Sequence, residues 1–120
     1  MKIILFAFSL LFLSTPTGLV TGDGYKIGDV ATDFSLPNVD GEMVSLADFD
    51  DAKGFIVIFT CNTCPYSVAY EDRIIALDKA YKSKGYPVIA INPNDPAAID
   101  GDDLADMKVR ATEKGFNFPY

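Results

Sequence analysis

Polar and apolar positions divide the chain into segments of different period. Met1 and Lys2 open a run of about ten apolar residues, which Ser14, Thr15, Pro16 and Thr17 break. Residues 24–32 have no clear period and read as an extended lead-in. Residues 33–37 (Asp-Phe-Ser-Leu-Pro) predict a short strand ending at a proline, and residues 43–46 (Met-Val-Ser-Leu) a second. The Asp40-Gly41 turn signal between them makes a β-hairpin, with Phe34 and Leu36 on one arm and Val44 and Leu46 on the other. Residues 47–53 form a polar connector. Residues 55–59 (Phe-Ile-Val-Ile-Phe) are a continuous apolar run, as expected of a parallel strand buried on both faces.

A helix follows, because Tyr70, Ile74, Leu77 and Tyr81 recur at helical spacing, supported by Ile75. Glu71 and Asp72 at its start and Lys82 and Lys84 at its end suit the helix dipole. Asp78 and Lys82 stand at i,i+4, the spacing of an ion pair, and Gly85 is placed to cap the end. Residues 88–91 (Val-Ile-Ala-Ile) read as a second buried strand. Asp102 or Asp103 then caps a further helix, carried by Leu104, Met107 and Ala111 up to Gly115. Strand, helix, strand, helix is the order of a parallel α/β sheet.

The N-terminal run has the order of a secretory signal peptide and is short for a bilayer span. Cleavage after Gly22, with Val20 at the third position back, fits the small-residue preference; Gly18 offers an alternative site. The expected organisation is therefore a leader at residues 1–22 and one domain at residues 23–120, exported to a periplasmic or extracellular space with no stable membrane anchor once the leader is removed.

Charge and composition exclude several functions. The net charge is -7, the opposite of a nucleic-acid footprint. There is no histidine, so imidazole-assisted nucleophiles and imidazole metal sites are ruled out. Cys61 and Cys64 are the two cysteines, in a single Cys-Asn-Thr-Cys-Pro motif. Two thiolates make half of a zinc site, which a second chain would have to complete.

The motif lies where the apolar strand hands over to the helix. Unpaired amides and the positive helix end favour a thiolate there. Two intervening residues let the second sulfur reach the first, and Pro65 is tolerated in a first turn. The expected roles are Cys61, nearer solvent and the helix end, as attacking thiolate and Cys64 as resolving thiol. A structural disulfide that merely staples the helix start is the non-enzymatic rival.

Residues 34–41 (Phe-Ser-Leu-Pro-Asn-Val-Asp-Gly) and 44–49 (Val-Ser-Leu-Ala-Asp-Phe) resemble the N-terminal hairpin of redoxins of the alkyl hydroperoxide reductase/thiol-specific antioxidant type, within the thioredoxin-like superfamily. Residues 59–66 through Glu71, Asp72 and Arg73, together with residues 90–95, resemble a bacterial branch of exported thioredoxin-like proteins. The resemblance covers about residues 25–120. It implies a thioredoxin-like fold extended by an N-terminal hairpin, thiol oxidoreductase or antioxidant activity on protein or small-molecule thiols and disulfides, and no bound cofactor.

The sequence departs from this family at several points. Peroxidase members carry Pro-x-x-x-Thr-x-x-Cys. With Cys64 in the cysteine position, Cys61 and Val57 replace the threonine and proline; with Cys61 there, Ile58 and Gly54 do. Residues 55–59 also lack the buried acid that thioredoxins carry in this strand. No segment corresponds to the cis-proline, strand hairpin and last helix that follow in thioredoxins, so the chain is expected to be roughly the first two-thirds of such a domain.

Overall fold

The computed structural model describes residues 24–120. The expected leader at residues 1–22 lies outside the described residues. The chain divides into two compact units between Ala31 and Thr32. Within residues 24–31, Lys26 and Asp29 close a local turn, the Lys26 amide donating to Asp29 Oδ2 at 2.7 Å.

Among the described residues, every regular element lies within residues 32–120. β1 (Leu36–Pro37) pairs antiparallel with β2 (Met43–Val44), Leu36 opposite Val44. Both strands are shorter than the hairpin arms read from the sequence. Pro37 has no N–H to extend a ladder. Leu46 enters a 3₁₀ turn, Leu46–Asp48, and its amide donates to Asp33 Oδ1 at 2.8 Å instead of to a strand. β3 (Ile56–Phe59) pairs in parallel with β4 (Val88–Ile91), Ile56 opposite Val88 and Phe59 opposite Ile91. α1 (Pro65–Tyr81) connects them, and a 3₁₀ turn carries its end to Gly85. Gly85 sits at φ +91°, a left-handed conformation that glycine adopts without a Cβ clash. α2 (Leu104–Lys114) follows β4.

Registered neighbours of a parallel pair share a face. Ile56, Ile58, Val88 and Ala90 thus point together into the core, where Ile74 of α1, Met107 and Ala111 of α2, Phe118 and Tyr120 meet them. The far edge of β4 is taken by the last residues, the Ala90 amide donating to Pro119 O at 2.9 Å. Tyr120 then joins β1's turn: its amide donates to Asn38 Oδ1 at 2.9 Å, and its carbonyl accepts from the Val39 amide at 3.2 Å.

Two expectations about faces are corrected. β3 is not buried on both sides, for Val57 and Phe59 are exposed, Phe59 at 69 %. Among the described residues β3 has one strand neighbour, and its second face meets no helix that closes it. The buried stripe of α1 is also not the tyrosine stripe. Tyr70 and Tyr81 face outward, while Glu71, Ile74 and Asp78 face inward. Asp78 is fully buried and accepts from the Val88 amide at 3.0 Å, so it ties α1 to the start of β4 rather than pairing with Lys82. Glu71 forms a bidentate bond with Arg110 of α2, at 2.7 and 2.8 Å, and Lys114 adds a contact at 3.2 Å. These partners lie far along the chain, which is why helical spacing alone finds Ile74 and Leu77 on the inner side but not Glu71 and Asp78.

Candidate active site

Thr60 continues β3 by one bond, its amide donating to Ile91 O at 3.0 Å, and is buried. The backbone then leaves the sheet through Cys61, Asn62 and Thr63. Pro65 opens α1 in its first turn and Cys64 is its N-cap, its carbonyl accepting the first helical bond from Val68. A proline at this position loses an N–H that would have no intrahelical partner. Cys61 and Cys64 are both half-buried free thiols, and both are hydrogen-bonded to Ser67.

The helix end belongs to Cys64, not to Cys61. The Cys64 thiol is pushed below its ordinary value, first by the Ser67 amide, then by the Tyr66 amide and the Ser67 hydroxyl, with a smaller push from the Cys61 thiol. Cys61 lies three positions before the helix's N-cap, and its Sγ donates to Ser67 Oγ at 3.6 Å. Ser67 therefore accepts from one sulfur and donates toward the other. The premise that Cys61 stands nearer the helix end is thus corrected, because the helix begins only at Pro65.

The two residues between the cysteines are held from the loop that follows β4. The Asn62 amide donates to Asp102 Oδ1 at 2.7 Å and the Thr63 hydroxyl to Asp102 Oδ2 at 3.1 Å. Asn94 Nδ2 donates to the same Oδ2 at 2.6 Å. The Asn62 side chain donates to Gly101 O at 2.9 Å and accepts from the Tyr120 hydroxyl at 2.8 Å. Burial pushes the Asp102 carboxyl up, but the bonds from Asn94, Asn62, Thr63 and Asn92 together hold it below its usual value. Burial, reinforced by the negative charges of Asp102 and Glu71, pushes the Tyr120 phenol far above its usual range, so it stays a donor.

Asp102 was one of two candidate caps for α2. Asp103 takes that place, accepting from the Asp106 amide at 2.8 Å. Ser67, Asn62, Asp102 and Tyr120 were not singled out as site residues from sequence. For Ser67 a signal existed: a residue just before a first-turn proline is an N-cap, and the position three further on faces it. For Asp102 and Tyr120, some 40 and 58 positions from Asn62, there was none.

Among the described residues no group of three or more His, Cys, Asp or Glu side chains converges to hold a metal ion. No helix among them is long and apolar enough to cross a membrane.

The model of the AhpC/TSA family matches residues 27–120. The chain belongs to the AhpC/TSA family. Among solved structures, this AhpC/TSA chain is similar to a hypothetical protein from Sinorhizobium meliloti 1021, with a TM-score of 0.76 and 32 % identity, over 82 % of this chain and 54 % of that one. It is similar to an uncharacterized conserved protein from Geobacillus kaustophilus, with a TM-score of 0.74 and 36 % identity, over 82 % and 52 %. A thiol:disulfide interchange protein of the thioredoxin family from Chlorobium tepidum TLS matches with a TM-score of 0.60 and 25 % identity, over 74 % and 56 %. The fold is thioredoxin-like, and the chain spans about half the length of each of these structures. No curated protein matches the chain.

Proposed function

We propose that this AhpC/TSA chain is an extracytoplasmic thiol–disulfide oxidoreductase that works through Cys61 and Cys64. The observation that carries the reading is the pair itself: two half-buried free thiols at a strand-to-helix junction, linked through Ser67, with helix amides lowering one of them. The similar thiol:disulfide interchange protein from Chlorobium tepidum supports it. So does the leader-like order of residues 1–17, since a disulfide persists outside the cytoplasm.

The attacking group in this proposal is Cys64. Its thiolate attacks one sulfur of a partner disulfide and forms a mixed disulfide, expelling the partner's other sulfur as a thiolate that takes a proton. Cys61 then loses its proton, attacks Cys64 Sγ and closes the Cys61–Cys64 bond. The partner leaves with two electrons and two protons, and the chain holds the disulfide. The reverse sequence oxidises a partner dithiol.

The test is to trap the mixed disulfide with a disulfide substrate. Cys61→Ser should accumulate it and Cys64→Ser should not; the opposite pattern returns the attack to Cys61, and trapping by neither ends the oxidoreductase reading. A hydroperoxide arm separates the peroxidase alternative. Neither register of the motif supplies the threonine and proline of the family's peroxidases, so turnover should stay below roughly 1 per second, the low end of ordinary enzymes.

A further inference from the structure

We propose that Asp102 is a positioning residue that sets the dithiol–disulfide equilibrium of Cys61 and Cys64 by clamping the two residues between them. This rests on the reading of the pair as a redox couple.

Within its own loop the Asp102 side chain accepts from Asn94. It does not cap α2, which Asp103 does, and among the described residues it forms no ion pair. It is nevertheless 3 % exposed, and a buried carboxylate must be satisfied by donors. Two of the donors to its carboxylate, the Asn62 backbone amide and the Thr63 hydroxyl, come from the redox loop, and Asn94 of its own loop is another. Bonds to an ionised acceptor are the stronger kind.

The neighbouring residues close the same clamp. Gly101 O holds the Asn62 amide group and Tyr120 holds its oxygen, so the Asn62 side chain is bonded at both ends. Gly101 sits at φ +86°, and a Cβ there would stand 3.0 Å from Thr63 Cγ2. The loop after β4 thus lies against the redox loop as closely as a side-chain-free residue allows.

Closing a disulfide depends on how often one sulfur meets the other. A loop already held in place has lost its conformational entropy in advance, which raises the effective concentration of each thiol at its partner. Asp102 therefore favours the disulfide. In the reaction measured, the Cys61 and Cys64 thiols give up two electrons and two protons, and glutathione disulfide takes both and becomes two glutathione thiols.

The experiment titrates the full chain in glutathione buffers and counts free thiols by alkylation. Asp102→Asn keeps the shape but turns one acceptor oxygen into a donor amide facing other donors. Its equilibrium constant for disulfide formation should fall about tenfold, equivalent to about 30 mV. Thr63→Val should lower it by about threefold, and the double variant should fall short of the summed effect because both changes act on one partner. A constant for Asp102→Asn within about twofold of the parent, with the double variant simply additive, overturns the clamp. If Asp102→Asn does not fold, the exposed Thr63→Val decides alone, and an unchanged constant overturns the proposal. A purely architectural Asp102 would lower the melting temperatures of the oxidised and reduced forms equally and leave the constant in place. A parent chain that forms no reversible bond ends the redox reading itself, whereas a parent that cycles beside unresponsive variants ends only the clamp.

Discussion

Ser67 is the residue that joins the two sulfurs. Its hydroxyl accepts from Cys61 at 3.6 Å and helps to lower the Cys64 thiol. Ser67→Ala removes one donor to the Cys64 thiolate and keeps the backbone amides. In a Cys61→Ser background, which isolates Cys64, the pH midpoint of its alkylation should therefore rise relative to the chain with Ser67 intact. An unchanged midpoint would leave the amides of Ser67 and Tyr66 as the whole source of the lowering. Both cysteines were legible in the sequence, because a Cys-x-x-Cys before a proline is a local pattern. Which sulfur gains the amides was not, since a helix start placed three residues earlier moves them from Cys64 to Cys61.

At the scale of elements, α1 and α2 are joined through a charge. Glu71 is buried on α1, and Arg110 holds it with two bonds while Lys114 reaches one of its oxygens. Arg110→Ala should cost about 2 kcal/mol, less than the 3–5 kcal/mol of a fully buried pair, because Lys114 remains and Arg110 is itself partly exposed. Urea unfolding of the variant measures this, and a loss below about 0.5 kcal/mol would place Glu71 among ordinary surface pairs. β3 and β4 were readable from their apolar runs, and the helices from their spacing. The inward faces were harder to read. Tyr70 and Tyr81 look like core in a helical projection, yet Glu71 and Asp78 occupy it, because Arg110 of α2 pairs with Glu71 and the Val88 amide of β4 bonds one oxygen of Asp78. Hydrophobic periodicity sees the residue and not the partner.

For the whole molecule, the lowered Asp102 carboxyl links stability to acid. Its contribution is complete above the unfolded carboxyl value of about 4 and is lost as pH falls through the lower folded value. The stability difference between the parent and Asp102→Asn should accordingly shrink as pH falls below about 4; a difference constant from pH 7 downward would show that the carboxylate's charge is not what counts. The open face of β3 is a second molecular trait. Phe59, Tyr66 at 82 % exposure and Tyr70 border a groove of about 470 Å³ beside the first turns of α1. An apolar run announces a strand without saying which sides are covered. Tyr120 has a consequence in time rather than in space. Its bonds to Asn38 and Asn62 span 82 and 58 positions, among the longest closures recorded in this fold. Such closures are made late, because the chain must give up the entropy of the intervening loop before the contact returns anything. In a stopped-flow refolding trace the tyrosine signal of this ring should belong to the slowest phase, and Tyr120→Phe should leave the faster phases unchanged. The loop between the cysteines would then acquire its final shape only at the last step of folding, after the sheet beneath it is already built.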